Sequence, residues 1–319
     1  MNLKIRSILV SALIPFACYV NAQSLNGNVD TLTVKVSDLA LHAVLSAPDE
    51  EKPPVALIIP GSGPTDLNGN QPRMNNNSLK YLSNALVENK IATLRFDKRG
   101  VAKSAYPDFS EEELTIDNYV SDVRAILRYL RSRDFEDIYI IGHSEGSLIG
   151  LVAIQDINVS GFISVGGAGN SADVILKKQL EPKLPKNYFE SVVQIIDSLN
   201  NGHLVESVPP QLAGLFRSSV QPYFISWFKY NPVSLIKNTE TPTLIVQGSK
   251  DIQIGREEAQ LLAGAREQVD YIEIENMNHI FKTIEGGMQE NIESYTDPSL
   301  EVNERFVEAI VNFINTADQ

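Results

Sequence analysis

Apolar and polar residues follow two different periods along this chain, and the way these periods alternate indicates its architecture. Short, β-branched apolar runs are typical of buried strands. Two early runs alternate between apolar and polar residues and are expected to pair antiparallel, whereas later runs such as residues 55–59 are apolar throughout. The predicted strands cover residues 31–36, 39–45, 55–59, 91–96, 138–141, 159–165, 242–247 and 269–274.

Between these runs, apolar residues recur at the three- and four-residue spacing of helices that have one buried face. The pattern predicts helices over residues 78–88 and 115–131, from residue 254 or 255 to 265, and over 304–314. An asparagine triplet at 75–77 can cap the first of them. Strands that alternate with helices favour an α/β fold, in which a mostly parallel central sheet carries helices on both faces.

Residues 170–238 depart from this alternation. Apolar residues recur there at helical spacing, in short segments that prolines interrupt. We interpret the stretch as a helical cap inserted between two strands of the core, which then comprises residues 23–169 and 239–319. Its aromatic residues suit the interior of the cap and one wall of a substrate pocket, with Phe224 and Trp227 as pocket candidates, although a structural role is favoured for any single one. The aromatic cluster consists of Tyr223, Phe224, Trp227, Phe228 and Tyr230.

The sequence Gly-His-Ser-Glu-Gly at residues 142–146 has the Gly-x-Ser-x-Gly spacing of a nucleophile elbow. It follows a predicted strand and precedes a predicted helix, which is the context that such a turn requires. We therefore predict Ser144 as a nucleophile and the backbone N–H of Glu145, at a helix start, as an oxyanion donor. The alternative is a glycine-rich turn in which the serine is merely exposed.

A serine nucleophile at neutral pH needs a base within hydrogen-bonding reach. Among the histidines, only His279 lies in a loop directly after a strand, at the sheet edge where Ser144 is expected. The base in turn needs a carboxylate, and Asp251 follows the strand at 242–247 in the expected chain order, with Asp173 and Glu275 as rivals. The remaining histidines are His42, His143 and His203.

Two further loops follow predicted strands. The loop Pro-Gly-Ser-Gly-Pro at residues 60–64 follows the strand at 55–59, and the N–H of Ser62 is our candidate for the second oxyanion donor. An ordinary tight turn is the alternative. The charged residues Asp97, Lys98 and Arg99 follow the next strand, where they could bind substrate, but a structural role in holding the loop is favoured.

These motifs resemble those of the α/β-hydrolase superfamily over essentially the whole chain after residue 22. The similarity rests on residues 142–146, on Asp-Lys-Arg-Gly at 97–100, on Gly-Ser-Lys-Asp at 248–251 and on Met-Asn-His at 277–279. More narrowly, Pro-Gly-Ser-Gly-Pro-Thr-Asp at 60–66 and Asp-Ile-Gln at 251–253 look like secreted bacterial esterases grouped with the serine-aminopeptidase-type hydrolases.

The resemblance implies an α/β-hydrolase fold with Ser144 as nucleophile, and Asp251 and His279 as its partners. It also implies backbone N–H groups of Ser62 and Glu145 as the oxyanion hole. The chain departs from the superfamily at Pro60, where many members carry a histidine before the glycine. The subgroup includes both peptidases and esterases, so the resemblance does not decide which bond is cut.

The first 22 residues have the pattern of a secretory signal peptide. Lys4 and Arg6 precede a mostly apolar stretch, and Val-Asn-Ala at 20–22 is a small-x-small cleavage site. We expect an exported protein, periplasmic or extracellular in a bacterium, and a buried N-terminal helix is the alternative. Cys18, the single cysteine, lies in a poor lipidation sequence, and cleavage after Ala22 would leave a mature chain that needs no disulfide.

The formal net charge of −13 argues against binding of nucleic acid or anionic lipid, and we expect neither those partners nor stable membrane insertion. The sequence contains no metal-ligand, phosphate-loop or dinucleotide pattern, so no cofactor is expected. The leading hypothesis is a carboxylesterase acting on small, uncharged acyl esters, with acyl groups from acetyl to butyryl.

Two other hypotheses remain. An amidase or aminopeptidase would use the same residues but needs a carboxylate to bind a free amino group, and the third hypothesis is a non-catalytic binding protein. The oligomeric state is left open. Carboxylates that the predicted cap offers to an amine are Asp173, Glu181, Glu190, Asp197 and Glu206.

Overall fold

The computed structural model describes residues 27–37 and 39–317, so the predicted signal peptide lies outside the described residues. In these residues one sheet has the strand order β1-β2-β4-β3-β5-β6-β7-β8. Strand β2 pairs antiparallel with both β1 and β4. The remaining pairs, from β4–β3 to β7–β8 in this order, are all parallel. The strands are β1 (Gly27–Val36), β2 (Leu39–Pro48), β3 (Val55–Ile59), β4 (Ala92–Phe96), β5 (Ile138–His143), β6 (Gly161–Val165), β7 (Thr243–Gly248) and β8 (Val269–Ile274).

Helices cover both faces of the sheet, so every residue of the central strands is buried. In β3, Val55, Leu57 and Ile59 pack in one apolar cluster, whereas Ala56 and Ile58 pack in a second cluster on the opposite face. A continuously apolar strand results from this double burial. The helices of the core are α1 (Ser78–Glu88), α2 (Ile116–Ser132), α3 (Glu145–Ala153), α9 (Arg256–Ala263), α10 (Met288–Glu293) and α11 (Glu304–Ala317).

The chain between β6 and β7 is helical and builds an apolar cluster of its own, around Val192, Phe216 and Phe224. Prolines begin or interrupt its helices, as the sequence pattern indicated, since a proline is tolerated in the first turn but not in a helix interior. Its helices are α4 (Ala172–Leu180), α5 (Lys186–Asn200), α6 (Ala213–Phe216), α7 (Gln221–Phe228) and α8 (Pro232–Lys237).

The α/β prediction with a mostly parallel sheet is confirmed. Strands β3 and β8 and helix α1 have the predicted bounds, whereas β5 continues two residues further than predicted, through Gly142 to His143. The short helix α10 was not predicted. Within residues 27–37 and 39–317, none of the helices combines the length and apolarity that crossing a bilayer requires.

Candidate active site

Ser144 occupies a strained turn between β5 and α3. Its φ of 54° and ψ of −118° lie where residues with a side chain rarely occur. Such a conformation costs on the order of 1–3 kcal/mol and persists only where the surrounding structure imposes it. The N–H of Ser144 donates to the carbonyl oxygen of Val165 in β6 at 2.9 Å, which holds the turn against the neighbouring strand. The side chain is thereby presented at the carboxyl edge of the parallel sheet, where ligands bind in open α/β sheets.

The glycines on either side of this turn are sterically required. A Cβ atom on Gly142 would lie 2.5 Å from the carbonyl oxygen of Gly146, and one on Gly146 would lie 2.4 Å from the carbonyl oxygen of Ile59. Real Cβ atoms do not approach backbone oxygens so closely. The second glycine therefore permits α3 to pack against the end of β3, next to the loop that carries Ser62.

His279 and Asp251 form a buried hydrogen-bonded pair. Nδ1 of His279 lies 2.7 Å from Oδ2 of Asp251, and the two side chains are 4% and 1% exposed. The other carboxylate oxygen, Oδ1, accepts from the backbone N–H groups of Gln253 at 2.8 Å and Ile254 at 2.9 Å. These contacts leave Nε2 as the ring nitrogen of His279 that is not held by the carboxylate.

The charge state of Asp251 follows from the same contacts. Burial raises the pKa of this carboxyl, but the His279 imidazole and the two backbone N–H groups lower it by more, so the pKa lies below its ordinary value. Asp251 is consequently ionised at neutral pH and can stabilise a positive charge on the imidazole.

Loops from several strands bring the predicted residues together. Ser144, His279 and Ser62 line one small pocket of about 60 Å³, and Asp251 is attached to it through His279. Gly166, which has a φ of +58°, follows β6, and a Cβ atom there would be 3.2 Å from both Asp251 Oδ2 and His279 Nδ1. The rival carboxylates lie elsewhere: Asp173 accepts from Ser171 and Asn200, and Glu275 is exposed.

The other described histidines have different environments. His42 Nδ1 lies 2.9 Å from Oδ2 of Asp97, and His203 is exposed. His143 is buried, and its Nε2 lies 2.9 Å from the carbonyl oxygen of His279. Because a carbonyl only accepts, Nε2 of His143 is the nitrogen that carries the proton.

His143 is a contributor to the site that the sequence analysis missed. Burial, and then the proximity of His279, lower the pKa of His143 to about 3, so the ring is neutral. Its ring centroid lies 4.7 Å from that of His279. The sequence does carry a signal for this burial, since the strand pattern can be extended beyond Ile141 to His143.

A second missed contributor is an ion pair formed by Glu145, the residue that follows the serine. Lys98 Nζ lies 2.9 Å from Oε1 of Glu145, and both side chains are at most 2% exposed. The same ammonium donates to the carbonyl oxygen of Gly61 at 3.1 Å. The structural role favoured for the Asp-Lys-Arg loop agrees with these contacts and with the pairing of Arg99 with Asp122 at 2.9 Å.

A larger cavity of about 530 Å³ is also lined by Ser144. Phe224 and Trp227 line it, together with Ser62, Ser144 and Glu145. Phe224 stacks on both Trp227 and Phe228, so it also belongs to the core of the helical stretch. Its wall also includes the large side chains of Phe109, Leu114, Leu148, Ile175, Leu176, Leu215, Val220 and Tyr223.

The carboxylates along the described lining of this cavity already have cationic partners. Glu111 pairs with Arg217 and also accepts from Ser219, and Glu145 pairs with Lys98. The carboxylates that the sequence offered as amine ligands do not line the cavity. Two of them have partners of their own, since Asp197 binds Lys177 and Asp173 is hydrogen-bonded by Ser171.

Comparison with known proteins gives matches in sequence and in structure. The family model Hydrolase_4, described as serine aminopeptidase S33, matches residues 73–206. Esterase EstD from Thermotoga maritima is 23% identical over 239 residues, which are 73% of this chain and 56% of EstD. The chain thus spans about half the length of this curated relative.

Solved structures share the fold at low sequence identity. Est1E from Butyrivibrio proteoclasticus has a TM-score of 0.59 at 19% identity, covering 90% of this chain and 98% of Est1E. A proline iminopeptidase from Mycobacterium smegmatis has a TM-score of 0.57 at 14% identity, covering 91% and 99%. The Pyrococcus furiosus esterase Pf2001 has a TM-score of 0.59 at 14% identity, covering 92% of both chains.

Proposed function

We propose that this chain, which belongs to the α/β-hydrolase superfamily, is a serine carboxylesterase that acts on uncharged acyl esters. The observation that carries the proposal is the arrangement of Ser144 in a strained turn beside a His279–Asp251 pair at the carboxyl edge of the sheet. A serine, a buried carboxylate and a histidine, in this order along the chain, are the parts of an acyl-transfer site of this topology.

The proposed reaction proceeds through an acyl-enzyme. Oγ of Ser144 attacks the ester carbonyl carbon while Nε2 of His279 takes the hydroxyl proton, and the Asp251 carboxylate stabilises the resulting imidazolium. The carbonyl oxygen becomes an oxyanion that accepts hydrogen bonds from the backbone N–H groups of Ser62 and Glu145. When the tetrahedral intermediate collapses, the alcohol leaves with the proton from His279, and a water molecule activated by the same base then releases the acid.

The lining of the larger cavity supports an ester over a peptide substrate. An aminopeptidase has to bind a charged amino group, and a buried ammonium needs a carboxylate that is not already neutralised. Along the described lining, Glu111 and Glu145 are both paired with cations. An uncharged acyl group, by contrast, gains from the apolar wall at about 25 cal/mol per Å² of buried apolar surface.

The cavity volume supports acyl groups larger than the predicted range from acetyl to butyryl. A volume of about 530 Å³ falls in the range of pockets that hold drug-sized molecules. We therefore extend the proposed range to medium-length or aromatic acyl groups, with Phe224 and Trp227 in the acyl-facing wall of the predicted cap.

The proposal is tested by comparing two substrate series on the purified protein. p-Nitrophenyl esters from acetyl to palmitoyl and aminoacyl-p-nitroanilides are assayed in parallel, with Ser144→Ala as the control. We expect hydrolysis of the esters at a higher kcat/KM than any anilide, and none with the variant. Faster cleavage of the anilides would favour the aminopeptidase, and an inactive wild-type protein would favour the binding protein.

A further inference from the structure

A single buried ammonium contacts both loops that carry the proposed oxyanion donors. Lys98 follows β4, and its Nζ lies 2.9 Å from Oε1 of Glu145 and 3.1 Å from the carbonyl oxygen of Gly61. It also lies 4.1 Å from the ring centroid of Tyr119. Lys98 therefore connects the loop after β3 with the start of α3.

The contact with Gly61 has a directional consequence. The carbonyl of Gly61 and the N–H of Ser62 belong to the same peptide group, which is planar and trans, so the two point in opposite directions. An ammonium held at the carbonyl oxygen fixes the orientation of this peptide and directs the N–H of Ser62 away from Lys98. The hydrogen bond also polarises the peptide, which makes its N–H a stronger donor.

The contact with Glu145 has an electrostatic consequence. Glu145 is one of the residues that line the cavity beside Ser144. An unpaired negative charge on its side chain would oppose the negative charge that develops on the substrate oxygen. Burial lowers the pKa of Lys98, but the Glu145 carboxylate and Tyr119 raise it by more, so the pKa lies above its ordinary value. The lysine is consequently charged at neutral pH and neutralises Glu145.

A buried ion pair of this kind is a poor device for stability, because desolvation of both charges offsets their attraction. We propose that Lys98 is a positioning residue of the oxyanion hole, which orients the Gly61–Ser62 peptide and cancels the charge of Glu145. This inference rests on the proposed serine hydrolase function and concerns the alignment of its donors.

The first test compares two single variants. Lys98→Met should lower kcat about tenfold to a hundredfold, approaching the loss of one oxyanion donor, while KM stays within about threefold. Glu145→Gln keeps the backbone N–H and leaves the positive charge of Lys98, which does not oppose an oxyanion, so its kcat should fall clearly less. A purely structural pair predicts similar losses for both variants, because each leaves one buried charge unpaired.

The double variant separates the two parts of the role. Lys98→Met/Glu145→Gln removes the opposing charge but leaves the Gly61 peptide without its ammonium, so kcat should lie between those of Lys98→Met and Glu145→Gln. If Lys98→Met does not fold, a kcat of the double variant below that of Glu145→Gln at unchanged KM still supports the proposal. Equal kcat values for those two proteins would overturn it.

Arg124 on α2, which contacts the carboxyl end of α3, offers a control variant. Arg124 pairs with Asp156 and donates to the carbonyl oxygen of Val152 near the end of α3. Arg124→Met removes a cation of α2 that contacts the end of α3. It touches neither proposed donor, so its kcat should stay within about twofold of the wild type, a change of less than about 0.5 kcal/mol. Circular dichroism and thermal unfolding of each variant establish that the kcat values compared are those of folded proteins.

Covalent labelling distinguishes failure of this inference from failure of the proposed function. A fluorophosphonate reacts with an activated serine whatever the natural substrate is, and the adduct places an oxygen in the oxyanion hole. An unlabelled Ser144 in the wild-type protein would overturn the proposed function and, with it, the role of Lys98. Equal labelling rates for wild type and Lys98→Met would overturn the role of Lys98 alone, whereas a slower rate for the variant supports it.

Discussion

Nε2 of His143 donates a hydrogen bond of 2.9 Å to the carbonyl oxygen of His279, so the residue before the candidate nucleophile holds the backbone of the candidate base. The contact joins the end of β5 to the loop after β8. It constrains His279 from the backbone side, while Asp251 constrains the imidazole ring. The base is thus held at two points, which suits a group that has to meet Ser144 in one orientation.

We expect His143 to make stability depend on pH above the range in which carboxylates titrate. The pKa of His143 is about 3 in the folded protein and near 6.5 when unfolded, so between these values the unfolded state binds more protons. The contribution of His143 to the free energy of unfolding should therefore be fully present above about pH 6.5. It should fall by up to about 1.4 kcal/mol per pH unit as the pH is lowered from there towards the folded-state pKa.

Urea unfolding of wild type and His143→Gln at pH 7.5 and pH 5 measures this contribution. The glutamine amide can still donate to the His279 carbonyl but does not titrate, so the variant should lose less stability on acidification. An equal loss in both proteins would show that His143 does not control the effect.

Asp251→Asn should lower kcat by about 10³-fold or more, with little change in KM. An amide does not stabilise the imidazolium, and its NH₂ group favours the His279 tautomer whose proton faces Ser144. Ester hydrolysis at saturating substrate measures kcat. Retention of a tenth or more of the wild-type kcat would show that Asp251 is not the partner of His279.

We expect the contribution of Asp251 to the stability of the fold to be lost at acidic pH. Its folded-state pKa lies below the unfolded value of 3.8, so the carboxylate stabilises the fold above about pH 3.8 and this contribution is lost as the pH falls through the folded-state pKa. The difference in unfolding free energy between wild type and Asp251→Asn should therefore shrink below pH 4. A difference that does not change with pH would contradict the assignment.

Ser144→Gly and Ser144→Ala should both abolish hydrolysis but differ in stability. Glycine accepts a φ of 54° and a ψ of −118° without steric cost, whereas alanine keeps the strain. We expect the glycine variant to be more stable than the alanine variant by about 1 kcal/mol. At positions with ordinary backbone angles the order is reversed, because glycine gives the unfolded chain more conformational freedom. Guanidinium unfolding gives the difference, and an alanine variant of equal or greater stability would mean that the turn stores no strain.

Ile175→Trp should shift the acyl preference towards shorter chains. Ile175 lies on α4 and lines the larger cavity, so a bulkier side chain removes volume that a long acyl group needs. The measurement is kcat/KM for p-nitrophenyl esters from acetyl to palmitoyl. Leu261→Trp, at an exposed position of α9, is the matched control and should leave the profile unchanged; an unchanged profile for Ile175→Trp would remove α4 from the acyl site.

The N-terminal pattern predicts export with removal of residues 1–22. Mass spectrometry of the protein isolated from a bacterial host should show an N-terminus at Gln23, because the apolar stretch with Lys4 and Arg6 before it is typical of a cleaved signal. Ala22→Arg, which places a charge at the cleavage site, is the control and should leave the precursor uncut. An intact Met1 in the wild-type cytoplasmic fraction would contradict export, and a lipid on Cys18 would replace it with anchoring.

Local patterns in the sequence were sufficient for the α/β class and for most elements. Burial on both faces makes β3 continuously apolar, and burial on one face gives α2 its helical spacing, so each element can be recognised from its own residues. Ser144, Asp251 and His279 were predicted in the same way, because each follows a strand and the carboxyl ends of parallel strands share one edge. The sequence could not decide whether the five carboxylates of the predicted cap reach the substrate. The fold shows that none of them lines the cavity.

The tertiary structure decided the contacts between residues that are distant in the chain. Lys98 reaches Glu145 and Gly61, which are 47 and 37 residues away, and His143 reaches His279, which is 136 residues away. No local period marks such a pair, because each side chain is placed by the order of the strands from β4 through β3 and β5 to β8, and not by its own neighbours in sequence. A strand pattern shows that a residue is buried; which charge or carbonyl it meets there depends on the sheet that brings the loops together.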